Sequence, residues 1–206
     1  MAPMPSIRPY RPADEGALRD ICVRTAHVGG DARPHYADPE ILAEIFAVPY
    51  ATLDPALAFV ADDGGQAVGY ILGTGDTARF VRRFREEWLP SVADRYPAPT
   101  TEMGLDATPD EVMRHLLHTP ERMLVPELEP YPAHLHIDLL PGYQRAGHGR
   151  ALVEAFLGAL RSAGVAGVHL GMVTENAAAR AFYDRVGFHE IAVSEAGPLT
   201  YLGMRW

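Results

Sequence analysis

Along this chain the hydrophobic positions repeat with two periods, two residues for strands and three to four for helices, and each change of period marks an element. Ser6-Ile-Arg-Pro-Tyr10 reads as a short strand. Pro12 to Arg24 carries apolar residues at helical spacing behind a proline and acidic residues that favour a first turn. After the polar break Gly29-Gly-Asp-Ala-Arg-Pro-His35, a second helix is predicted near Asp38-Pro-Glu40, with Asp38 as cap and Ile41, Leu42, Ile45 and Phe46 inward. Ala56 to Ala61 and Gln66 to Gly73 are apolar runs joined by Asp62-Asp-Gly-Gly65, which predicts two adjacent antiparallel strands. From Thr77 to about Tyr96 the spacing is helical, with Phe80, Phe84 and Trp88 on one face as core or interface.

Residues 97–132 are proline-rich at both ends, with a helix predicted over Pro109 to His118. Prolines at that density resist strand pairing, so the region from about 77 to 132 is expected to be a helical insertion packed over the sheet, available as a substrate mouth, a lid or a homodimer contact. Downstream, Ala133 to Leu140 alternates like a strand, Arg150 to Ser162 is helical, Gly167 to Val173 is a buried strand, and Asn176 to Val186 is a helix stopped by Gly187. Two short strands close the chain, about 188–194 and 198–205. The strand, helix, strand, helix order predicts a right-handed crossover. The expectation is one α/β (α+β) domain over 1–206, a mixed, mostly antiparallel sheet flanked by helices.

Composition narrows the function classes. Of 206 residues, 18 are Lys or Arg and 27 Asp or Glu, a formal charge of -9 that repels nucleic acid phosphates and anionic membranes. The single cysteine, Cys22, sits on an apolar helical stripe and reads as core rather than nucleophile. The start, Met1-Ala-Pro-Met-Pro-Ser6, lacks the regions of a signal peptide, and no apolar run reaches the length of a membrane span, so a cytoplasmic protein is expected. No histidine or carboxylate cluster has metal-ligand spacing, and no Ser-His-Asp or Cys-His arrangement is readable.

The stretch Asp138-Leu-Leu-Pro-Gly-Tyr-Gln-Arg-Ala-Gly-His-Gly-Arg150 carries the chemistry. A glycine-rich turn from strand to helix exposes successive main-chain NH groups at the positive end of a helix dipole, and is either a phosphate cradle or a tight turn. It lacks the Lys-Ser/Thr of a P-loop, and no G-x-G-x-x-G follows the first strand. With Gln144-x-x-Gly147-x-Gly149 followed by helix, strand, Asn176, Tyr183 and Gly187-Phe188, residues from about 134 to 190 resemble the GNAT superfamily of acetyl-coenzyme A-dependent N-acetyltransferases. Gly29-Gly-Asp-Ala-Arg, the long insertion and His136-Ile-Asp-Leu-Leu-Pro-Gly-Tyr-Gln-Arg145 are similar to bacterial relatives of the C-terminal acetyltransferase-like domain of O-GlcNAc hydrolase, a group whose members are disputed as enzymes.

The resemblance implies acetyl-CoA as cosubstrate, no metal, and direct attack by an amine, either a small molecule or a protein lysine. Its other implication is a catalytically weak or inactive acetyl-CoA-binding or interaction module. Leu139 and Leu140 would offer main-chain groups to the pantetheine arm, and the NH groups of Arg145, Ala146, Gly147, His148, Gly149 and Arg150 would hold the pyrophosphate behind Gln144. Asn176 would bond the pantetheine region or cap its helix. Tyr183 would protonate the departing thiolate. His134, His136 and Asp138 share one face of their strand, and Asp138 is the first choice as general base or as anchor for a cationic substrate, ahead of His136, His134 or water. Many GNAT strands carry a small apolar residue at the Asp138 position.

Overall fold

A computed structural model describes residues 5–100, 104 and 106–206; Met1 to Met4, part of the Met1–Ser6 stretch read above, lie outside it, as do Thr101 to Met103 and Leu105 of the insertion. Seven strands, β1 (Ser6–Pro9), β2 (Ala58–Asp63), β3 (Gln66–Thr74), β4 (Ala133–Leu139), β5 (Gly167–Val173), β6 (His189–Ile191) and β7 (Leu199–Arg205), form one sheet in the order β1-β2-β3-β4-β5-β7-β6. Every neighbouring pair is antiparallel except β4 and β5, the expected mixed sheet. The helices are α1 (Glu15–Thr25), α2 (Ile41–Phe46), α3 (Val48–Leu53), α4 (Thr77–Arg83), α5 (Leu89–Val92), α6 (Pro109–His118), α7 (His148–Ser162) and α8 (Ala177–Val186).

Two apolar layers sandwich the sheet. One face is covered by α1 to α3 and the insertion, through Leu18, Ile21, Tyr50, Phe80 and Leu117 packed on Tyr70 and Leu72 of β3. The other is covered by α7, whose buried Leu152, Val153, Phe156, Leu157 and Leu160 recur at one helical face and meet Val68, Ile71 and Leu135. The β4-α7-β5 unit therefore crosses between parallel neighbours, as strand and helix periodicity predicted. No helix among the described residues is long and apolar enough to cross a membrane.

Local departures from the sequence reading have identifiable causes. The helix expected from Thr77 to Tyr96 is three pieces, with a π-turn over Phe84–Trp88 between α4 and α5. Pro90 supplies no NH to the carbonyl four residues back, and a widened turn upstream accommodates that loss. Pro49 acts similarly after Ala47, whose φ of -130° separates α2 from α3. Strand β2 starts at Ala58, because Pro55–Leu57 forms a 3-10 turn; β6 is shorter than expected; and α7 begins at His148 rather than Arg150.

Candidate functional site

Strand β4 pairs with β3 from His134, opposite Thr74, to Leu139, opposite Gly69, but with β5 only at Ala133 and His134. Beyond His134 the parallel strands part. The gap is the floor of a cleft of about 1390 Å³ running between α1, α2 and α6 on one side and β5, α8 and the start of α7 on the other. The Leu140 NH donates to the Val68 carbonyl at 3.0 Å, so main-chain groups of even-numbered β4 residues point to β3. By alternation those of Ile137 and Leu139 point into the gap. Of the two leucines expected to offer main-chain groups there, Leu140 thus has its NH committed to β3, and Ile137 takes its place.

The turn after β4 is held from within. Gln144 Nε2 donates to the Leu139 carbonyl at 2.9 Å, folding the chain back on the strand it has just left. Arg145 adopts φ 60° and Gly147 φ 90°, both left-handed, so the chain enters α7 with its first amides turned outward. Among the described residues the NH groups from Arg145 through Arg150 find no acceptor in the chain. Gly149 has a different reason: a Cβ there would meet the Phe182 ring at 3.1 Å, so its absence lets α7 and α8 close on each other. The Arg150 side chain pairs with Glu154 at 3.0 Å on the exposed face of α7, and His148 is buried. Gly147→Ala is expected to cost about 1–2 kcal/mol through the left-handed backbone alone, read as a lower melting temperature together with weaker acetyl-CoA binding.

Across the gap stands a polar wall. Tyr70, Leu72 and Thr74 of β3 lie opposite Asp138, His136 and His134, which puts all three β4 side chains on the α1–α3 face. Counting protons fixes the direction of each bond along this wall. The Thr77 hydroxyl donates to the Pro132 carbonyl at 2.9 Å, so at 2.8 Å it accepts from His134 Nδ1–H. Burial holds His134 well below its usual pKa and hence neutral, so its Nε2 accepts from the Tyr50 hydroxyl at 2.8 Å. With the Tyr50 proton committed, His136 Nε2–H donates to the Tyr50 oxygen at 3.1 Å. Burial lowers His136 to about 4, so it too is neutral and its Nδ1 lone pair is left over. Tyr50→Phe strips both histidines of this partner and is expected to cost about 1–3 kcal/mol of stability, measurable by denaturant unfolding.

Asp138, partly exposed on the cleft lining, accepts a 2.7 Å hydrogen bond from the buried Tyr70 hydroxyl. Burial outweighs that bond and lifts its carboxyl from 3.8 to about 6. Cys22 lines the same pocket but is only 2 % exposed, and burial raises its thiol, so it stays protonated core. Asn176 caps α8, its Oδ1 accepting from the Ala179 NH at 3.0 Å, while its Nδ2 has no acceptor among the described residues and the side chain borders the cleft. Tyr183, on α8, is 8 % exposed with its ring between Phe182 and Phe188. Its hydroxyl has no hydrogen-bond partner among the described residues, and burial with the Asp138 charge raises its pKa, so it keeps its proton.

Leu139, Gln144, Arg145, Gly147, Gly149, Arg150, Asn176 and Tyr183 therefore line the same cleft as Asp138, His136 and His134. Leu140, Ala146 and His148 are not on its lining, and the NH groups of the last two belong to the run without an acceptor in the turn. The sequence reading missed Tyr50, Tyr70, Thr25, Arg122 and Tyr201 on this site. Tyr70 had a signal: it lies in the hairpin strand opposite the one carrying Asp138. Thr25 of α1, Tyr50 of α3, Arg122 of the insertion and Tyr201 of β7 reach the cleft through tertiary packing, which leaves no period to read.

Residues 17–188 match the acetyltransferase (GNAT) family. The crystal structure of SsHAT superposes with a TM-score of 0.94 at 62 % identity, covering 98 % of both chains. Protein O-GlcNAcase of Rattus norvegicus is 25 % identical over 195 residues, which is 94 % of this chain but 21 % of the relative, so the chain spans about a fifth of that protein. The [ribosomal protein bS18]-alanine N-acetyltransferase of Escherichia coli K12 is 45 % identical over 53 residues, 26 % of this chain and 36 % of the relative. Fold, parted strands, glycine turn and matched sequence agree: the chain belongs to the GNAT acetyltransferase family.

Proposed function

We propose that this protein transfers the acetyl group of acetyl-CoA to an amine by direct attack. The observation that carries the reading is the parting of β4 from β5 beside the unpaired amides of Arg145 to Arg150. Those amides, at the positive end of α7, suit a pyrophosphate, and the outward main chain of Ile137 and Leu139 suits the amide-rich pantetheine arm. Acetyl-CoA supplies the acetyl thioester.

In this reading Asp138 takes the proton from the attacking amine nitrogen as the N–C bond forms. Its raised pKa, about 6, makes it a better base than an ordinary carboxylate while leaving it mostly ionised at neutral pH. The Tyr183 hydroxyl hands its proton to the sulfur as the C–S bond breaks, and Asn176 Nδ2 donates to the pantetheine region. The neutral His136, held by Tyr50, turns a lone pair rather than a charge to an incoming amine. A protonated tyrosine hydroxyl without a partner among the described residues, lining the same cleft as a carboxylate of raised pKa, favours an enzyme over a binding scaffold.

Release of free thiol from acetyl-CoA over a panel of primary amines tests the reading. The chain contains no lysine, so lysine self-acetylation does not contribute to the signal. Thiol release that depends on added amine is expected; binding of acetyl-CoA with no amine-dependent release would leave only the scaffold.

A further inference from the structure

Away from the glycine turn the cleft is walled by Leu42, Phe46, Met113, Leu116 and Met123. Five side chains on the lining carry full charge: Asp138 and the arginines Arg122, Arg145, Arg150 and Arg185. Arg145 and Arg150 belong to the turn and the first residues of α7, with the proposed pyrophosphate site, and Arg185 belongs to the last turn of α8. Arg122 belongs to the other wall. It lies in the 3-10 turn Pro120–Met123 of the insertion, and its charge acts on Tyr50, Tyr201, His134 and His136.

No carboxylate pairs with Arg122 among the described residues. Its Nε reaches the Leu116 carbonyl only at 3.5 Å, which leaves the fork of its terminal nitrogens unused. The contrast with Arg85 is direct: Arg85, also of the insertion, is bonded through two nitrogens to Glu121, the residue beside Arg122. Arg122 is exposed at the edge of an otherwise apolar wall; a guanidinium fork there, with no carboxylate of the described residues to occupy it, recognises a planar anion through paired charge-assisted bonds.

We propose that Arg122 is an anion subsite for the acceptor, and that the acceptor is an amine bearing a carboxylate on an apolar body rather than a lysine-rich peptide. A basic peptide would meet Arg122 with Asp138 as its sole counter-charge on the lining. An apolar body with an amine at one end and a carboxylate at the other matches Asp138, the methionine and leucine wall, and Arg122 in turn. The proposal rests on the acetyl-transfer reading above and specifies its substrate class.

The test measures thiol release with matched acceptors: 4-aminobutyrate against propylamine, 6-aminohexanoate against pentylamine, phenylalanine against phenethylamine, and a lysine-rich peptide. At least one carboxylate member is expected to exceed its partner by about tenfold or more in kcat/KM, mainly through KM, and to exceed the peptide. Arg122→Gln is expected to bring that ratio close to one, and Arg122→Lys to restore part of it. If every pair reacts equally, or the peptide is preferred, or Arg122→Gln lowers both members of a pair alike, the subsite is wrong while acetyl transfer stands. If no acceptor is acetylated, melting shifts of the CoA-saturated protein with the same pairs decide: equal shifts within every pair overturn the subsite. Failure of acetyl-CoA itself to bind overturns the underlying reading instead.

Discussion

Asp138→Asn is expected to lower kcat/KM for amine acetylation by about 100- to 10,000-fold while stabilising the protein at neutral pH. The two effects share one cause. Burial lifts the carboxyl from 3.8 to about 6, against a hydrogen bond from Tyr70 that favours the charged form. The native state therefore binds this proton more tightly than the unfolded chain, where the value is about 3.9. Stability from that proton is fully present below about pH 4 and is lost as pH rises through about 6, an effect of at most about 3 kcal/mol for a two-unit shift. Asparagine keeps an acceptor for Tyr70 and has no charge to bury, so the variant loses both this pH dependence and the base. Melting temperatures of the two proteins between pH 4 and 7.5 read the first effect, and the rise of kcat/KM through about pH 6 in the wild type reads the second. Wild-type turnover in the variant would mean that Asp138 is not the base, and an unchanged pH dependence of melting would mean that burial does not raise its carboxyl.

Tyr183→Phe is expected to reduce kcat by about 100- to 1,000-fold and to change acetyl-CoA affinity by no more than about twofold. The ring is clasped between Phe182 and Phe188, and phenylalanine fills the same space. What disappears is a hydroxyl that burial keeps protonated and that has no partner among the described residues. A group used only as the C–S bond breaks lowers kcat without weakening ground-state binding, whereas a packing residue would lower affinity and melting temperature together. Single-turnover rates with a titrated binding constant separate the two, and unchanged turnover across pH would remove Tyr183 from the chemistry.

The legible parts of the site were those built from contiguous sequence. Alternation over Ala133 to Leu140 placed His134, His136 and Asp138 on one face, and the glycines after it announced a turn into a helix. Period alone did not specify that β4 would leave β5 after His134. Which main-chain groups face the gap depends on the phase of pairing with β3, and the Leu140 to Val68 hydrogen bond decides it in favour of Ile137. The acceptor side was hidden for a different reason. Tyr50 and Arg122 lie 84 and 12 residues from His134 in sequence, and share its cleft only because α3 and the proline-broken insertion pack over the same face of the sheet. Aromatic spacing gave Phe80 and Phe84 correctly as core, yet the helix carrying them is interrupted by a π-turn, since periodicity reports which face is buried and not how many residues a turn contains.

Isothermal titration of the protein with acetyl-CoA tests the central claim most directly. The parted strands and the free amides of Arg145 to Arg150 predict one saturable site per chain, with affinity that drops when Gly147 is replaced by alanine. Absence of heat and of saturation at millimolar acetyl-CoA, with the protein folded, would contradict the account.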